Sequence, residues 1–190
     1  MNDSFWSQVF ASLIGAFSAF LLSIILFFVT QSARNRKQES QLAANAASEI
    51  ETDISMLDEV RAQIDDLCQE IEIETDKTKL YIPMRYVDIL YVFLPQTYSG
   101  GLLREILSSI EITELNRVIN RNSKQTDDVN LLILNNYKQG TEDVAGILRF
   151  FRSQKKQAQK DINFLRDIQQ RLNKLSKSKS TFLLATARTK

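Results

Sequence analysis

The residues best suited to chemistry in this sequence are its carboxylates, because histidine is absent and cysteine occurs once, at Cys68. Histidine is the commonest general base and the commonest metal ligand, so its absence removes both roles together. A Ser-His-Asp or Cys-His nucleophile is therefore excluded, and a zinc site would need several cysteines or histidines. We interpret Cys68, which falls on an apolar helical stripe, as a packed core thiol.

Paired carboxylates remain as candidates for acid–base chemistry. Asp65-Asp66 and Asp127-Asp128 are adjacent in sequence, and adjacent helical residues point about 100° apart, so neither pair forms an obvious shared site. Four acids between residues 70 and 76 could bind a hard cation, but their spacing fits no EF-hand and lacks its turn glycine. We interpret them as a solvated face at a helix end. The sequence thus predicts no catalytic, cofactor-binding or metal-ligating residue, and a protein that is not an enzyme.

The element that must position everything else is an uncharged apolar run, residues 9–29. Its 21 residues contain only three polar side chains, all of them serines. At about 1.5 Å per residue a helix over this run is about 32 Å long, which matches a hydrocarbon core of about 30 Å. We predict a transmembrane helix at 9–29 after a short extracytoplasmic N-terminus at 1–8. The basic start and the small-residue cleavage site of a signal peptide are missing.

Basic residues after the run set its predicted orientation. Arg34, Arg36 and Lys37 follow the run, whereas residues 1–8 contain no lysine or arginine. An excess of bases marks the cytoplasmic side of a membrane helix, so the N-terminus is predicted outside and the body inside. The prediction is a single-pass protein of the inner (cytoplasmic) membrane, with these three bases at the membrane surface.

One face of the predicted membrane helix is built from small residues. Ala11, Gly15, Ala19 and Ser23 recur every fourth residue, and bulky residues such as Leu21 lie opposite. Small residues at this spacing let two helices approach closely, because packing drives helix association in lipid. We predict self-association through this face. The alternative is that these residues are simply common in membrane helices.

The rest of the chain is predicted to be all-α. Gly and Pro are scarce, and apolar residues recur at heptad-like spacing along a long first and a long last helix. Residues 39–76 carry twelve acids and one base, whereas 149–190 carry twelve bases and two acids. We predict that these oppositely charged helices pack antiparallel in a cytoplasmic helical bundle over 30–175, with coiled-coil-like long helices. A basic C-terminal tail at 176–190 follows.

Proline, glycine and apolar spacing predict the boundaries inside this body. They indicate a first helix that continues from the anchor to about Thr75, and a central core helix at 80–94 that starts near Pro83 and is ended by Pro95. One helix is then predicted from Leu102 to Asn122, and another starts at Asp127 and is capped by Gly140. The last helix is predicted to be capped by Thr141 and to end near Leu175. The alternative for 80–94 is a segment that dips into the membrane or meets a partner. The small residues between 42 and 47 fit either a helix contact or a loose stalk.

The basic tail has two interpretations. Its bases and the apolar triplet 182–184 could lie on an anionic leaflet, or the tail could be a solvated, disordered end. Nucleic acid is an unfavoured partner, because no nucleic-acid motif occurs and the aromatics near the bases fall on the apolar stripe. The predicted partners are membrane lipid, further copies of this chain and a cytoplasmic protein.

Two classes of function fit these features. The first is a non-enzymatic membrane protein, either a toxin- or defence-like effector or an assembly component, that self-assembles through its membrane helix and helical domain. The second is a membrane-tethered adaptor or sensor that recruits a cytoplasmic protein through the helical domain. Three serines do not make a polar stripe, so a wide aqueous pore is not evident.

Overall fold

A computed structural model describes the backbone of residues 3–74, 76–81, 91–122 and 124–187, and the side chains of these ranges from Gly15 to Ser180 except 124–125. Every regular element in these ranges is helical, which confirms the predicted all-α class. The elements are α1 (Asp3–Ile73), a 3-10 turn (Lys77–Lys79), α2 (Phe93–Ser99), α3 (Leu102–Ile106), α4 (Ser109–Arg121), α5 (Lys124–Lys138) and α6 (Val144–Ala187).

Helix α1 runs through 71 residues because nothing in its sequence stops it. Between residues 16 and 73 there is neither glycine nor proline, the two residues that most disfavour a helix interior. The helix ends at Ile73, close to the predicted Thr75, which confirms that the acidic stretch after residue 70 is a helix end. Beyond it, the Asp76 side chain accepts from the Thr78 backbone N–H at 3.1 Å and starts the 3-10 turn.

The chain divides into two compact units, and both boundaries fall inside long helices. One unit comprises residues 1–41 with 177–190, and the other comprises 42–176. The second unit holds the hydrophobic core. Its largest fully buried side chains come mainly from α1 and α6, among them Ile50, Leu57, Ile64, Ile162, Leu165, Ile168 and Leu172.

The small residues upstream of Ile50 belong to this core. Ala43, Ala46 and Ala47 are buried, so this part of α1 is a helix contact rather than a loose stalk. Alanine has the best helix propensity and leaves room for a close neighbour. The heptad-like stripe of α1 is therefore covered by the chain itself from Ala43 to Ile71.

The prediction of one helix from Leu102 to Asn122 is wrong, because Leu107 and Ser108 are not helical and separate α3 from α4. Ser108 has extended backbone and forms a capping box with Glu111, whose carboxylate accepts from the Ser108 backbone N–H at 2.7 Å. This capping box starts helix α4. Arg171 of α6 donates to the Ile106 carbonyl oxygen at 3.1 Å and to Glu111 at 2.8 Å, so α6 supports both sides of the break.

The prediction that Pro95 ends a helix at 80–94 is wrong. Residues 82–90, including Pro83, lie outside the described residues, and Leu80, Tyr81, Tyr91 and Val92 are not helical. Pro95 lies inside the first turn of α2, where its missing N–H has no helical partner to lose.

The ends of α5 and α6 also differ in part from the prediction. Gly140, at φ 78°, closes α5 as predicted, but the Thr141 hydroxyl donates back to the Asn136 carbonyl oxygen at 2.8 Å. Asp143 caps α6 instead, since its carboxylate accepts from the Gly146 backbone N–H at 2.6 Å. Helix α5 begins at Lys124, with Asp127 in its first turn.

Helix α6 continues past Leu175 to Ala187. A disordered tail from residue 176 is therefore wrong for the described part. The extension is consistent with the sequence, because residues 176–187 contain neither glycine nor proline.

The capping box predicts a specific cost for Ser108→Ala. Removing the hydroxyl leaves the first-turn N–H of Glu111 without its acceptor, so we expect the free energy of unfolding to fall by about 1 kcal/mol. Urea unfolding of the full chain in mild detergent, followed by circular dichroism, measures it. Ser109→Ala is the matched control, because Ser109 is exposed and one residue inside the helix. Equal losses in the two variants would contradict the cap.

Candidate functional site

The apolar part of α1 is exposed on all sides in the described structure. Phe17, Phe20, Leu22 and Phe28 are each more than half exposed, and Phe28 reaches 66%. Among the described residues, α1 is the one helix long and apolar enough to cross a membrane, near the N-terminus. This confirms the prediction of one N-terminal helix able to span a bilayer. Exposure of so many apolar side chains to water would be costly.

The predicted small-residue face is open where the structure describes it. A Cβ built at Gly15 would meet no described atom within 4 Å, and Ala19 and Ser23 are exposed. The Ser23 hydroxyl donates to the Ala19 carbonyl oxygen at 2.9 Å, so its polar group is satisfied by its own helix. The backbone of Ala11 is helical, but its side chain lies outside the described part.

The three predicted surface bases do not have the same surroundings. Arg34 and Lys37 are exposed, whereas Arg36 is half-buried and lines a polar pocket of about 620 Å³. Glu39 and Lys179 line the same pocket and form an ion pair at 3.0 Å. Arg36 is thereby distinguished from its neighbours by geometry that the sequence does not reveal.

Ion pairs join the acidic segment of α1 to the basic segment of α6. Glu72 pairs with Arg152, Asp65 with Lys155 at 2.6 Å, and Asp58 with Arg166 at 2.9 Å. As the residue number falls along α1, the number of its partner on α6 rises. These side chains are partly exposed, so each pair contributes only about 0–1 kcal/mol and chiefly selects the partner helix.

A glutamate of α1 caps the short helix α2. Both Glu49 carboxylate oxygens accept from backbone N–H groups, those of Val92, Phe93 and Leu94, at 2.6, 2.9 and 2.8 Å. Helix α2 has no side-chain cap of its own. The carboxylate therefore satisfies first-turn N–H groups and places a negative charge at the positive end of the helix dipole.

One turn further along α1, Asp53 is almost completely buried, with 1% of its surface exposed. Its Oδ2 accepts from the Tyr91 hydroxyl at 2.6 Å, and its Oδ1 has no hydrogen-bond partner among the described residues. Burial raises the pKa of Asp53 from 3.8 to about 6, opposed by the Tyr91 hydrogen bond and reinforced by the charge of Asp161. Burial and the Asp53 charge also raise the pKa of Tyr91.

Asp161 of α6 is a second buried acid, but it is fully paired. Arg121 donates to its two oxygens at 2.9 and 3.0 Å, and Gln157 donates at 2.8 Å. A buried carboxylate with a bidentate guanidinium partner keeps its charge stabilised. Among the described residues of the body, one buried acid is thus compensated and one, Asp53, is compensated only in part. Both acids were missed as special positions, although each interrupts an apolar helical stripe.

An apolar pocket of about 330 Å³ lies beside this junction. Tyr91 and Leu94 line it together with Tyr98 of α2 and Leu115 of α4. Such a lining suits an apolar group rather than acid–base chemistry. No set of three or more Cys, Asp or Glu among the described residues could hold a metal ion. Cys68 is buried, and burial raises the pKa of its thiol, which keeps it protonated and unreactive.

The buried and partly unpaired carboxylate of Asp53 predicts a pH-dependent stability. An acid whose folded pKa exceeds its unfolded value binds more protons when folded, so stability falls as pH rises from about 4 to about 6 and then levels off. A shift of roughly two units is worth about 3 kcal/mol. Asp53→Asn cannot ionise, so we expect its stability relative to the parent chain to increase by up to about 3 kcal/mol between pH 4 and pH 7.

Denaturant unfolding of the full chain at a series of pH values measures this difference. Asp66→Asn is the matched control, because Asp66 lies exposed on the same helix. If the Asp53→Asn curve ran parallel to that of the parent chain from pH 4 to pH 7, the raised pKa would be refuted.

Comparisons with known proteins leave the function to be inferred from these residues. No protein-family model, no curated protein and no solved structure matches the chain. Function resides in sites rather than in folds, so the geometry of the described residues is the basis for any functional conclusion.

Proposed function

We propose that this chain is a single-pass membrane protein that self-assembles through the small-residue face of α1, with its helical body in the cytoplasm. In this proposal it acts as a non-enzymatic membrane protein, either an effector of the toxin or defence kind or an assembly component. The membrane is the inner membrane, and Arg34, Arg36 and Lys37 hold the C-terminal side of the anchor in the cytoplasm.

The observation that carries the proposal is the open face at Gly15. Nothing described in the chain covers this position, and exposed Ala19 and Ser23 continue it toward the cytoplasmic side. A second copy of the helix could approach closely along this face, and close packing is what stabilises helix pairs in lipid. Phe17, Leu21 and Phe28 lie on the opposite side, where bulky apolar groups suit lipid contact.

The body is proposed to be an antiparallel helical bundle with coiled-coil-like long helices. The inverse numbering of the ion pairs between α1 and α6 supports an antiparallel pairing. The stripes of both helices are buried within one chain, from Ala43 to Ile71 on α1 and from Ile147 to Leu175 on α6. Because these stripes are already used, the anchor has the better claim to carry association between copies.

A substitution at Gly15 tests self-association. Gly15→Ile places a β-branched side chain where two helices would meet, so we expect the association constant in the membrane to fall at least about tenfold, roughly 1.4 kcal/mol. A reporter of membrane-helix association measures it, and the oligomeric state of the full chain in detergent provides a second measurement.

Leu21→Ile is the matched control, because it puts the same side chain on the opposite face of the same helix. Association that withstands Gly15→Ile, or that falls equally in both variants, would overturn the small-residue interface. A membrane-potential dye then separates the two modes of action. Depolarisation that is lost with Gly15→Ile supports an effector, and an assembled but silent protein supports a structural component.

The apolar pocket beside α2 favours a second candidate, the membrane-tethered adaptor or sensor. Its open lining and the exposed Leu131 and Leu132 of α5 offer the body two apolar surfaces for a cytoplasmic protein.

In that case the full chain would be monomeric in detergent, silent toward the dye and bound to a soluble protein. Tyr98→Ala, which removes one wall of the pocket, would then weaken the bound protein's affinity by about tenfold or more, as expected for a lost aromatic anchor. Ile110→Ala is the control, because Ile110 is exposed and does not line the pocket. A self-associated chain with no bound protein would exclude the adaptor.

A further inference from the structure

A polar pocket lies where α1 leaves its apolar stretch. It has a volume of about 620 Å³, and α1 lines it from Phe28 to Glu39 while α6 contributes Ser178 and Lys179. All of these residues belong to the same compact unit of the chain. The α1 residues follow the spacing of one helical face, so the pocket extends along the helix.

The first residues of the pocket along α1 lie at the depth of the headgroup layer of a bilayer. A bilayer of about 40–45 Å has a hydrocarbon core of about 30 Å, which leaves about 5–8 Å of polar layer on each side. Gln31 and Ser32 come two and three residues after Val29, about 3–5 Å along the helix axis. Phe28 belongs to the apolar side. The backbone of Arg36 lies about 10 Å beyond Val29, just past this layer, and its Cα–Cβ bond tilts back toward the N-terminal, membrane side of the helix.

The chemistry of the lining suits an anion. Ser32, Gln31 and Asn35 supply neutral donors, and Arg36 and Lys179 supply positive charge. Among the residues of this unit whose side chains are described, there are five bases, Arg34, Arg36, Lys37, Lys177 and Lys179, and one acid, Glu39. Glu39 is the opposing element, since it pairs with Lys179 at 3.0 Å and would repel an anion.

We propose that this pocket binds the phosphate-bearing headgroup of an anionic phospholipid. The inference rests on the proposed function, in which α1 spans the membrane. Arg36 and Lys179 contact the phosphate, the neutral donors of α1 contact its remaining oxygens and the headgroup hydroxyls, and the acyl chains run along the exposed Phe28 side of the helix. A free phosphate offers the same oxygens but no acyl chains to contact Phe28.

The test compares two double variants that remove the same charge. Arg36→Gln with Lys179→Gln changes two bases that line the pocket, and Arg34→Gln with Lys37→Gln changes two bases that do not. General attraction to anionic lipid depends on the number of bases and so falls equally in both. A specific binding site in the pocket would make the pocket double variant lose more affinity for anionic lipid than the control double variant.

Native mass spectrometry of the full chain in detergent measures the binding of one phosphatidylglycerol and of one phosphatidylcholine per chain. We expect the pocket double variant to raise the Kd for phosphatidylglycerol at least about tenfold more than the control double variant does. Phosphatidylcholine should bind more weakly to the parent chain and change little. Glu39→Gln should lower the Kd for phosphatidylglycerol, because it removes the one opposing charge.

Three results would overturn the proposal. Equal effects of the two double variants would leave only general charge attraction, and a parent chain without preference for phosphatidylglycerol would leave no anionic site. Inorganic phosphate that displaces the lipid at equal concentration would assign the pocket to a free anion. The Glu39→Gln variant controls for misfolding, because a misfolded protein would lose affinity for the lipid whereas this variant is expected to bind it more tightly.

Failure of this proposal can be distinguished from failure of the proposed function. If α1 does not span the membrane, the parent chain and all variants leave the membrane fraction in an alkaline carbonate wash. If only the headgroup site is wrong, the chain resists the wash, remains sensitive to Gly15→Ile in its self-association, and shows no difference between the two double variants.

Discussion

The constraint that helix α1 is able to meet is the one that lipid would impose, since a backbone there must satisfy its own hydrogen bonds. Helix α1 meets it without interruption and then continues far beyond the length that a bilayer requires, from Asp3 to Ile73. The same helix exposes apolar side chains between Gly15 and Val29 and buries one apolar stripe from Ala43 to Ile71. Its composition changes accordingly, from an uncharged run to a stripe flanked by acids that α6 pairs with bases.

Features set by composition and period were predictable from the sequence. The all-α class, the apolar N-terminal helix, the end of α1 and the Gly140 cap all depend on local residue types. The break before α4 was missed because the apolar period continues through Leu107. The signal was nevertheless present, since Ser108 followed by Glu111 is a capping-box pattern. Pro95 was misjudged for the opposite reason, because a proline can begin a helix as readily as end one.

The polar sites of the body were not predictable in this way, because they join residues that are distant in sequence. Glu49 meets amides more than forty residues later, and Asp53 meets Tyr91 across a similar interval. The spacing of apolar residues along the sequence gives no information about contacts between such distant residues. The small-residue face could be proposed from spacing alone, whereas the difference between Arg36 and Arg34 required the position of Lys179.

The cap that Glu49 places on α2 has a consequence for how the body folds. A helix of seven residues is too short to persist on its own in water, and the acceptor for its first N–H groups arrives from α1. Helix α2 therefore depends on the docking of its segment against α1, which closes a long loop at a cost in entropy. The amides of Val92, Phe93 and Leu94 thus become natural hydrogen-exchange reporters of docking: their protection records whether this segment has found α1, independently of how helical the rest of the chain already is.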